Sequence, residues 1–147
     1  RLFYAASELG DHSLLWHLLA TGRAAASLRA EPAALRVVVA LAVESGLVNG
    51  VVKSLFNRSR PIATSERPLR LRIPRTSSFP SGHASSATMA ALLLADKSRF
   101  GPLYGAAAAL VATSRIHVRI HHASDIAGGV AVGAVLAGVV KRLAPLR

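Results

Sequence analysis

Five apolar runs, most of them about 15–20 residues, near positions 12–28, 33–56, 81–96, 102–117 and 124–140, take up most of this 147-residue chain and leave its charges largely in the joints between them. No stretch alternates apolar and polar residues in the manner of a half-buried strand. The expected fold is therefore all-α, a helical bundle forming one domain over 1–147. In water the five runs would have to be mutually buried helices. With 52% of residues hydrophobic and only 17% charged, little polar surface would remain to cover them. A bilayer takes about 20 helical residues to cross, and flanking residues or local thinning can complete the shorter runs. The expectation is an integral membrane bundle of about five spans, preceded by a short amphipathic helix over 2–9.

Local signals divide the chain further. Asp11 or Ser13 is placed to cap a helix running through Leu14, Leu15, Trp16, Leu18 and Leu19. Residues 22–32 read as a small basic connection into which Ala24–Leu28 can extend that helix. Residues 33–56 form a long apolar helix interrupted by Arg36, Glu44 and Asn49. Residues 58–79 hold Pro61, Pro68 and Pro74 among many arginines and read as a loop. A helix over 81–95, a turn over 96–102 and two apolar helices over 103–116 and 126–140 complete the chain. Gly129 and Gly133 form a pair of small residues four apart, which permits close helix packing. Glu44, inside an apolar run, needs a partner. Arg36, a neighbouring helix or a cation of the site are the candidates. The chain opens at Arg1 rather than Met, which reads as a piece of a longer protein, and no signal peptide is visible.

The 18 basic residues against 7 acidic ones give a net charge of +11, which calls for an anionic partner. Nucleic-acid binders set basic residues on a soluble face with aromatics to stack bases. Here aromatics are 5% of the chain and the basic residues punctuate apolar runs, so anionic membrane lipid and a phosphate substrate explain the charge better. With no cysteine, neither disulfide nor thiol chemistry is available.

Three stretches carry the chemistry: Lys53 with Arg60-Pro61, then Pro80-Ser81-Gly82-His83, then Ser114-Arg115 with His121 and Asp125. Lys53, Arg60 and Arg115 can hold phosphate oxygens, arginine by its planar fork and lysine as a point charge. Pro80 before Ser81 marks a helix start. Its free N–H groups, including those of Gly82 and His83, suit an anion, Ser81 adds a hydroxyl, and Gly82 lets the backbone approach closely. If each of the five runs crosses once, all three stretches emerge on the same side. Arg23, Arg29, Lys97, Arg99, Lys141, Arg142 and Arg147 then occupy the other side, which the positive-inside rule makes cytoplasmic, so the site faces outward. Arg58, Arg67, Arg70, Arg72 and Arg75 read as lipid-facing or substrate-steering charge. His117 and His122 flank the third stretch. A zinc site built from them and His121 would need further ligands where acids are sparse. Asp11-His12-Ser13 is adjacent in sequence and does not share a helix face, so capping is its expected role.

In order and spacing the three stretches resemble the signature motifs of the type 2 phosphatidic acid phosphatase superfamily, which takes in membrane lipid phosphatases, class A acid phosphatases and vanadium haloperoxidases. The motif span, 53–125, is half the chain. The resemblance implies that His121 attacks phosphorus and forms a phosphohistidine. It further implies that Asp125 fixes the His121 tautomer, and that His83 protonates the leaving alkoxide and then activates water. Lys53, Arg60, Ser81, Gly82 and Arg115 would bind the phosphate, with no metal and no cofactor. The implied substrate is a lipid phosphomonoester or diphosphate: phosphatidate, phosphatidylglycerol phosphate or an isoprenyl phosphate. The compact form and the Ala-, Arg- and Val-rich composition fit a bacterial inner-membrane protein. The competing expectations are a soluble acid phosphatase of the same superfamily, a haloperoxidase holding vanadate, and a non-enzymatic lipid-binding membrane protein. The oligomeric state is not legible.

Overall fold

A computed structural model describes residues 1–27, 30–61 and 73–146. Leu28, Arg29, Arg67, Pro68, Arg70, Arg72 and Arg147, named above, lie outside the described residues. Among the described residues the regular structure is all helical, with no strand. Helix α1 (Leu2–Leu9) leads through a 3₁₀ turn (Asp11–Ser13) into α2 (Leu14–Ala26). Helix α3 (Glu31–Ser45) continues as a π segment (Gly46–Val51) and a 3₁₀ turn (Val52–Leu55). After the loop come α4 (Gly82–Ala95), α5 (Gly101–His117) and α6 (Ala123–Leu143).

The bundle is organised around α4. Its small and apolar residues face neighbours on every side, and Ala84, Ala87, Ala90, Leu93 and Leu94 are all completely buried. Helices α6, α5, α3 and α2 pack around it. The pair of small residues in α6 explains how close one neighbour comes. A Cβ built on Gly129 would overlap the Ser81 carbonyl oxygen, and one on Gly133 the Ser85 carbonyl oxygen. Only glycine lets α6 lie against the α4 backbone there.

Two stretches have the length and composition to cross a bilayer: 25 residues over Glu31–Leu55 and 21 over Ala123–Leu143. Only 33% of the first window and 28% of the second are buried within the chain, unlike the core helix of a soluble protein. On the first, Leu35, Val39, Val43, Leu47, Val51 and Leu55 recur every fourth residue as an exposed apolar stripe. Such a stripe is stable against lipid and unfavourable against water. The other three expected spans are shorter. Helices α2, α4 and α5 have 13, 14 and 17 residues, about 20–26 Å at the helical rise against a hydrocarbon core of about 30 Å. Two of the five expected spans thus reach bilayer length by themselves.

Local expectations also shift. Helix α2 extends through Ala26, absorbing part of the 22–32 connection. Neither Asp11 nor Ser13 caps it: Ser13 is left-handed, with φ 58° and no side-chain cap bond, and the Asp11 carboxylate turns to another helix. The widening of α3 over Gly46–Val51 has a geometric effect. At about 100° per residue an unbroken α-helix would set Lys53 about half a turn away from Glu44. Wider π turns advance each residue by less, which rotates Asn49 and Lys53 back toward the side that Glu44 faces. At the far end of the bundle Arg36 closes two helices. Its guanidinium donates to Leu93 O at 3.2 Å, to Ala144 O at 3.1 Å and to Asp96 Oδ2 at 2.8 Å. A cation on C-terminal carbonyls is favoured by the helix dipole.

Candidate active site

The end of α3, the start of α4, the end of α5 and the loop before α6 meet at one end of the bundle. Lys53, Gly82, His83, Arg115 and His121 line a single cavity there, of about 430 Å³. The packing brings the three stretches of sequence to one end of the bundle. A larger hollow of about 950 Å³ opens at the opposite end, between α2 and the turn before α5, and no residue of the three stretches reaches it.

His121 is 3% exposed and precedes α6, so it does not share a helix face with Asp125. The two meet because Asp125 is the third residue of α6 and folds back over its start. Its Oδ2 accepts from the His122 N–H at 2.8 Å and lies 3.5 Å from His121 Nδ1. Its backbone oxygen accepts from the Ser81 N–H at 3.0 Å, which ties the starts of α4 and α6 together. On the other side of the ring, His121 Nε2 sits 3.4 Å from Arg60 Nη1. A proton on Nδ1 facing Asp125 leaves the Nε2 lone pair facing the cations. The His121 pKa falls to about 2, through burial first and then through the charges of Arg60, Arg115, Lys53 and His83. The site therefore holds the imidazole neutral, which is the nucleophilic form.

Arg115 is 1% exposed. Its Nη1 donates to Ser7 Oγ, while Nε and Nη2 are buried without a hydrogen-bond partner among the described residues. Buried guanidinium N–H groups without acceptors are costly, and a tetrahedral oxyanion in the cavity would supply the acceptors. Lys53, also buried, and Asn49 lie against Gly82: a Cβ built on Gly82 would come 3.7 Å from Lys53 Nζ and 3.2 Å from Asn49 Oδ1. Ser81 is buried and accepts from the Ala84 N–H at 3.4 Å, so its hydroxyl serves the helix as a cap. The N–H groups of Gly82 and His83 open the helix and have no acceptor within it.

Arg60 departs from the expected open fork. Its Nε donates to Pro74 O at 3.1 Å, Nη1 to Ile120 O at 3.2 Å and Nη2 to Thr76 O at 3.0 Å. Loop carbonyls without helical partners take up its donors, so Arg60 reaches the cavity through His121. Arg58, expected to face lipid or steer substrate, instead donates to Asp125 Oδ1 at 2.9 Å and to Ser124 Oγ at 2.8 Å. Asp11 gains a role that its sequence neighbours hid: its Oδ1 lies 2.9 Å from His83 Nε2, an ion-pair distance without the alignment of a full hydrogen bond. Burial alone would raise the Asp11 carboxyl, but its interactions with His83 and the charge of Arg115 outweigh that and hold it below its ordinary value. Gly10 makes the approach possible, since a Cβ there would come 2.7 Å from the His83 ring. His83 and His121 thus each have a carboxylate behind them. Sequence spacing shows only the second pair, because Ser7 and Asp11 lie far upstream of the three stretches. Glu44 lines the same cavity, and Arg36, one candidate partner, is bound to Asp96 at the other end. His117 stacks on Phe3 at 4.4 Å, away from His121.

Comparison with known proteins gives the arrangement a family. Residues 33–147 match the PAP2 superfamily. The chain is 35% identical over 137 residues to the decaprenylphosphoryl-5-phosphoribose phosphatase of Mycobacterium tuberculosis (strain CDC 1551 / Oshkosh), covering 91% of this chain and 74% of that one. It is 34% identical over 128 residues to the protein of the same name from Mycolicibacterium smegmatis, covering 85% and 68%. The fold superposes, with a TM-score of 0.70 over 96% of this chain and 74% of the other, on the first transmembrane PAP2 type phosphatidylglycerolphosphate phosphatase from Bacillus subtilis, at 24% identity. With the family matched over most of its length, the chain belongs to the PAP2 superfamily.

Proposed function

We propose that this protein is an integral membrane lipid phosphatase that removes a terminal phosphate from a lipid phosphomonoester or diphosphate through a phosphohistidine on His121, with no metal in the reaction. The observation that carries the reading is the pairing of a buried, neutral His121 with a buried Arg115 that has two donors to spare. The first suits a nucleophile in its reactive form, and the second offers buried donors to an anion.

The phosphate sits among Lys53, Arg115 and the N–H groups of Gly82 and His83. There, donors and charges meet the equatorial oxygens, whose charge a phosphoryl-transfer transition state must spread. His121 Nε2 attacks phosphorus and the P–O ester bond breaks. The positive charge left on the ring is held by Asp125, which Arg58 and the His122 N–H keep in place. His83, oriented by Asp11, gives its proton to the departing alkoxide. In the second half His83 takes a proton from water, the water oxygen bonds to phosphorus, the P–N bond breaks, and inorganic phosphate leaves. Arg60 contributes by its charge and by aiming the His121 ring.

The membrane setting follows from α3 and α6, whose exposed apolar faces suit lipid. The shorter α2, α4 and α5 complete their crossings with flanking residues and local thinning, giving five spans with the site at the outer face. Lipid phosphates, including the polyprenyl phosphoribose type in the relatives' name, are the substrate class. The test is phosphate release in detergent with excess EDTA over a panel of lipid phosphates, for the wild-type protein and His121→Ala. Release by the wild type alone supports the reading. Activity lost in EDTA and restored by a metal, or equal release by the variant, overturns it.

A further inference from the structure

Glu44 is 3% exposed, and its Oε1 is buried without a hydrogen-bond partner. It makes no ion pair within 4 Å among the described residues. The Ser85 hydroxyl lies buried beside it and interacts with the carboxylate, but neither Ser85 Oγ nor Glu44 Oε1 completes a well-aligned hydrogen bond among the described residues. Neither group takes part in the chemistry proposed above. A carboxylate left this way inside an apolar helix is costly unless a donor reaches it, so its position in the bundle matters.

That position is a junction. The cavity runs along one side of the third helix from Lys53 past Asn49 and Ser45 to Glu44, about two and a half turns deeper. An apolar groove of about 460 Å³ runs on from Glu44 toward the far end, between α3 and α6. Val43, Val39 and Leu35 form one wall, Leu136 and Val140 the other, and Met89 of α4 the floor. Among the described residues Glu44 is the one common to both linings. A substrate with its phosphate at Lys53 and Arg115 and its hydrocarbon chain in the groove must pass the carboxylate with the part of the molecule that joins them.

Resting on the lipid-phosphatase reading, we propose that Glu44 is a specificity-determining residue that accepts hydrogen bonds from hydroxyl groups on the segment between the terminal phosphate and the lipid chain. The preferred substrate is therefore a lipid whose phosphate is carried on a sugar or polyol. Such a linker supplies the aligned donor that Oε1 lacks. A phosphate attached directly to a prenyl chain or a diacylglycerol brings only carbon and ester oxygens to this point. It leaves Oε1 buried without an aligned donor, which a site built for hydroxyl recognition penalises heavily.

The test uses two lipids with the same polyprenyl tail, one ending in ribose 5-phosphate and the other in the analogue whose ribose lacks both hydroxyls. For the wild type the first should have the higher kcat/KM by about 10- to 100-fold, the worth of hydrogen bonds to a charged acceptor. In Glu44→Gln the ratio should shrink, and in Glu44→Met it should approach one. Thermal unfolding in detergent reports whether each variant is folded. If Glu44→Met does not fold, the wild-type ratio and Glu44→Gln carry the test. Equal kcat/KM for the two lipids in the wild type, or an unchanged ratio in a folded variant, overturns the inference and leaves the phosphatase reading standing. Release from p-nitrophenyl phosphate with none from either lipid refutes the lipid-phosphatase reading and this inference with it.

Discussion

Replacing Gly133 by alanine tests whether the contact between α4 and α6 sets the geometry of the site. The new Cβ would overlap the Ser85 carbonyl oxygen and lie 3.0 Å from its carbon and 3.1 Å from Ser85 Cα, where ordinary contacts begin at 3.4 Å. All three are backbone atoms, so no side chain can swing aside, and the two helices must separate by several tenths of an ångström or more. Overpacking of this kind costs about 1–3 kcal/mol. Gly138 lies on the same helix with nothing within 4 Å of its built Cβ, so Gly138→Ala changes helix propensity in the same way without the clash. Relative to that control, Gly133→Ala should be less stable by about 1–3 kcal/mol, seen as a melting point several degrees lower in detergent. The activity should fall further than the stability suggests. Separation moves His83 at the head of α4 away from His121 and Asp125 at the head of α6, and a misplacement approaching 1 Å costs about 100-fold in rate. Equal melting points and equal kcat for the two variants would refute the reasoning.

Three further outcomes follow from the side chains around the histidines. Asp11→Asn removes the carboxylate behind His83 and should slow alkyl phosphates by about 100-fold while slowing p-nitrophenyl phosphate far less, since that leaving group needs no proton. Equal losses on both would remove Asp11 from the proton-transfer step. Arg58→Met should cost about 1 kcal/mol in thermal unfolding, because Arg58 is 41% exposed while the carboxylate it supports is fully buried. Arg75→Met, at an exposed position of the same loop, should cost under about 0.5 kcal/mol. The lowered His121 pKa sets a pH dependence. Below its ordinary value near 6.5 the unfolded chain binds a proton that the folded site refuses, so stability falls as pH drops from about 7 toward 5. Melting points across that range should fall more steeply for the wild type than for His121→Gln, and parallel curves would contradict the assignment of burial and cation charge to His121.

The helical class, the positions of the six helices and the gathering of Lys53, Gly82, His83, Arg115 and His121 were legible because they rest on periodicity and on spacing within short stretches. The close contact at Gly129 and Gly133 was legible for the same reason. Span lengths were less so: α4 and α5 close at Asp96 and Val118 after 14 and 17 residues, and composition alone does not say whether flanking residues complete a crossing. The contacts of Asp11, Ser7 and Arg58 were not legible. Each depends on where a separate helix or loop docks, and nothing in the spacing 11–83, 7–115 or 58–125 marks a contact. Arg60 shows the converse: its motif position is clear in sequence, while its bonding to the carbonyls of Pro74, Thr76 and Ile120 is settled by the path of the loop. Glu44 stood out as a charge in an apolar run, but only the two cavities meeting at it suggest a use.

The central claim is that His121 becomes bonded to phosphorus during turnover. It is tested most directly by rapid quenching of the protein with a lipid phosphate labelled in its terminal phosphate, at alkaline pH, where a phosphohistidine survives, followed by peptide mapping of the label. The account requires label on His121, lost on acidification and absent from His121→Ala. Turnover of the same lipid with no label on His121, or label on another residue, would contradict it.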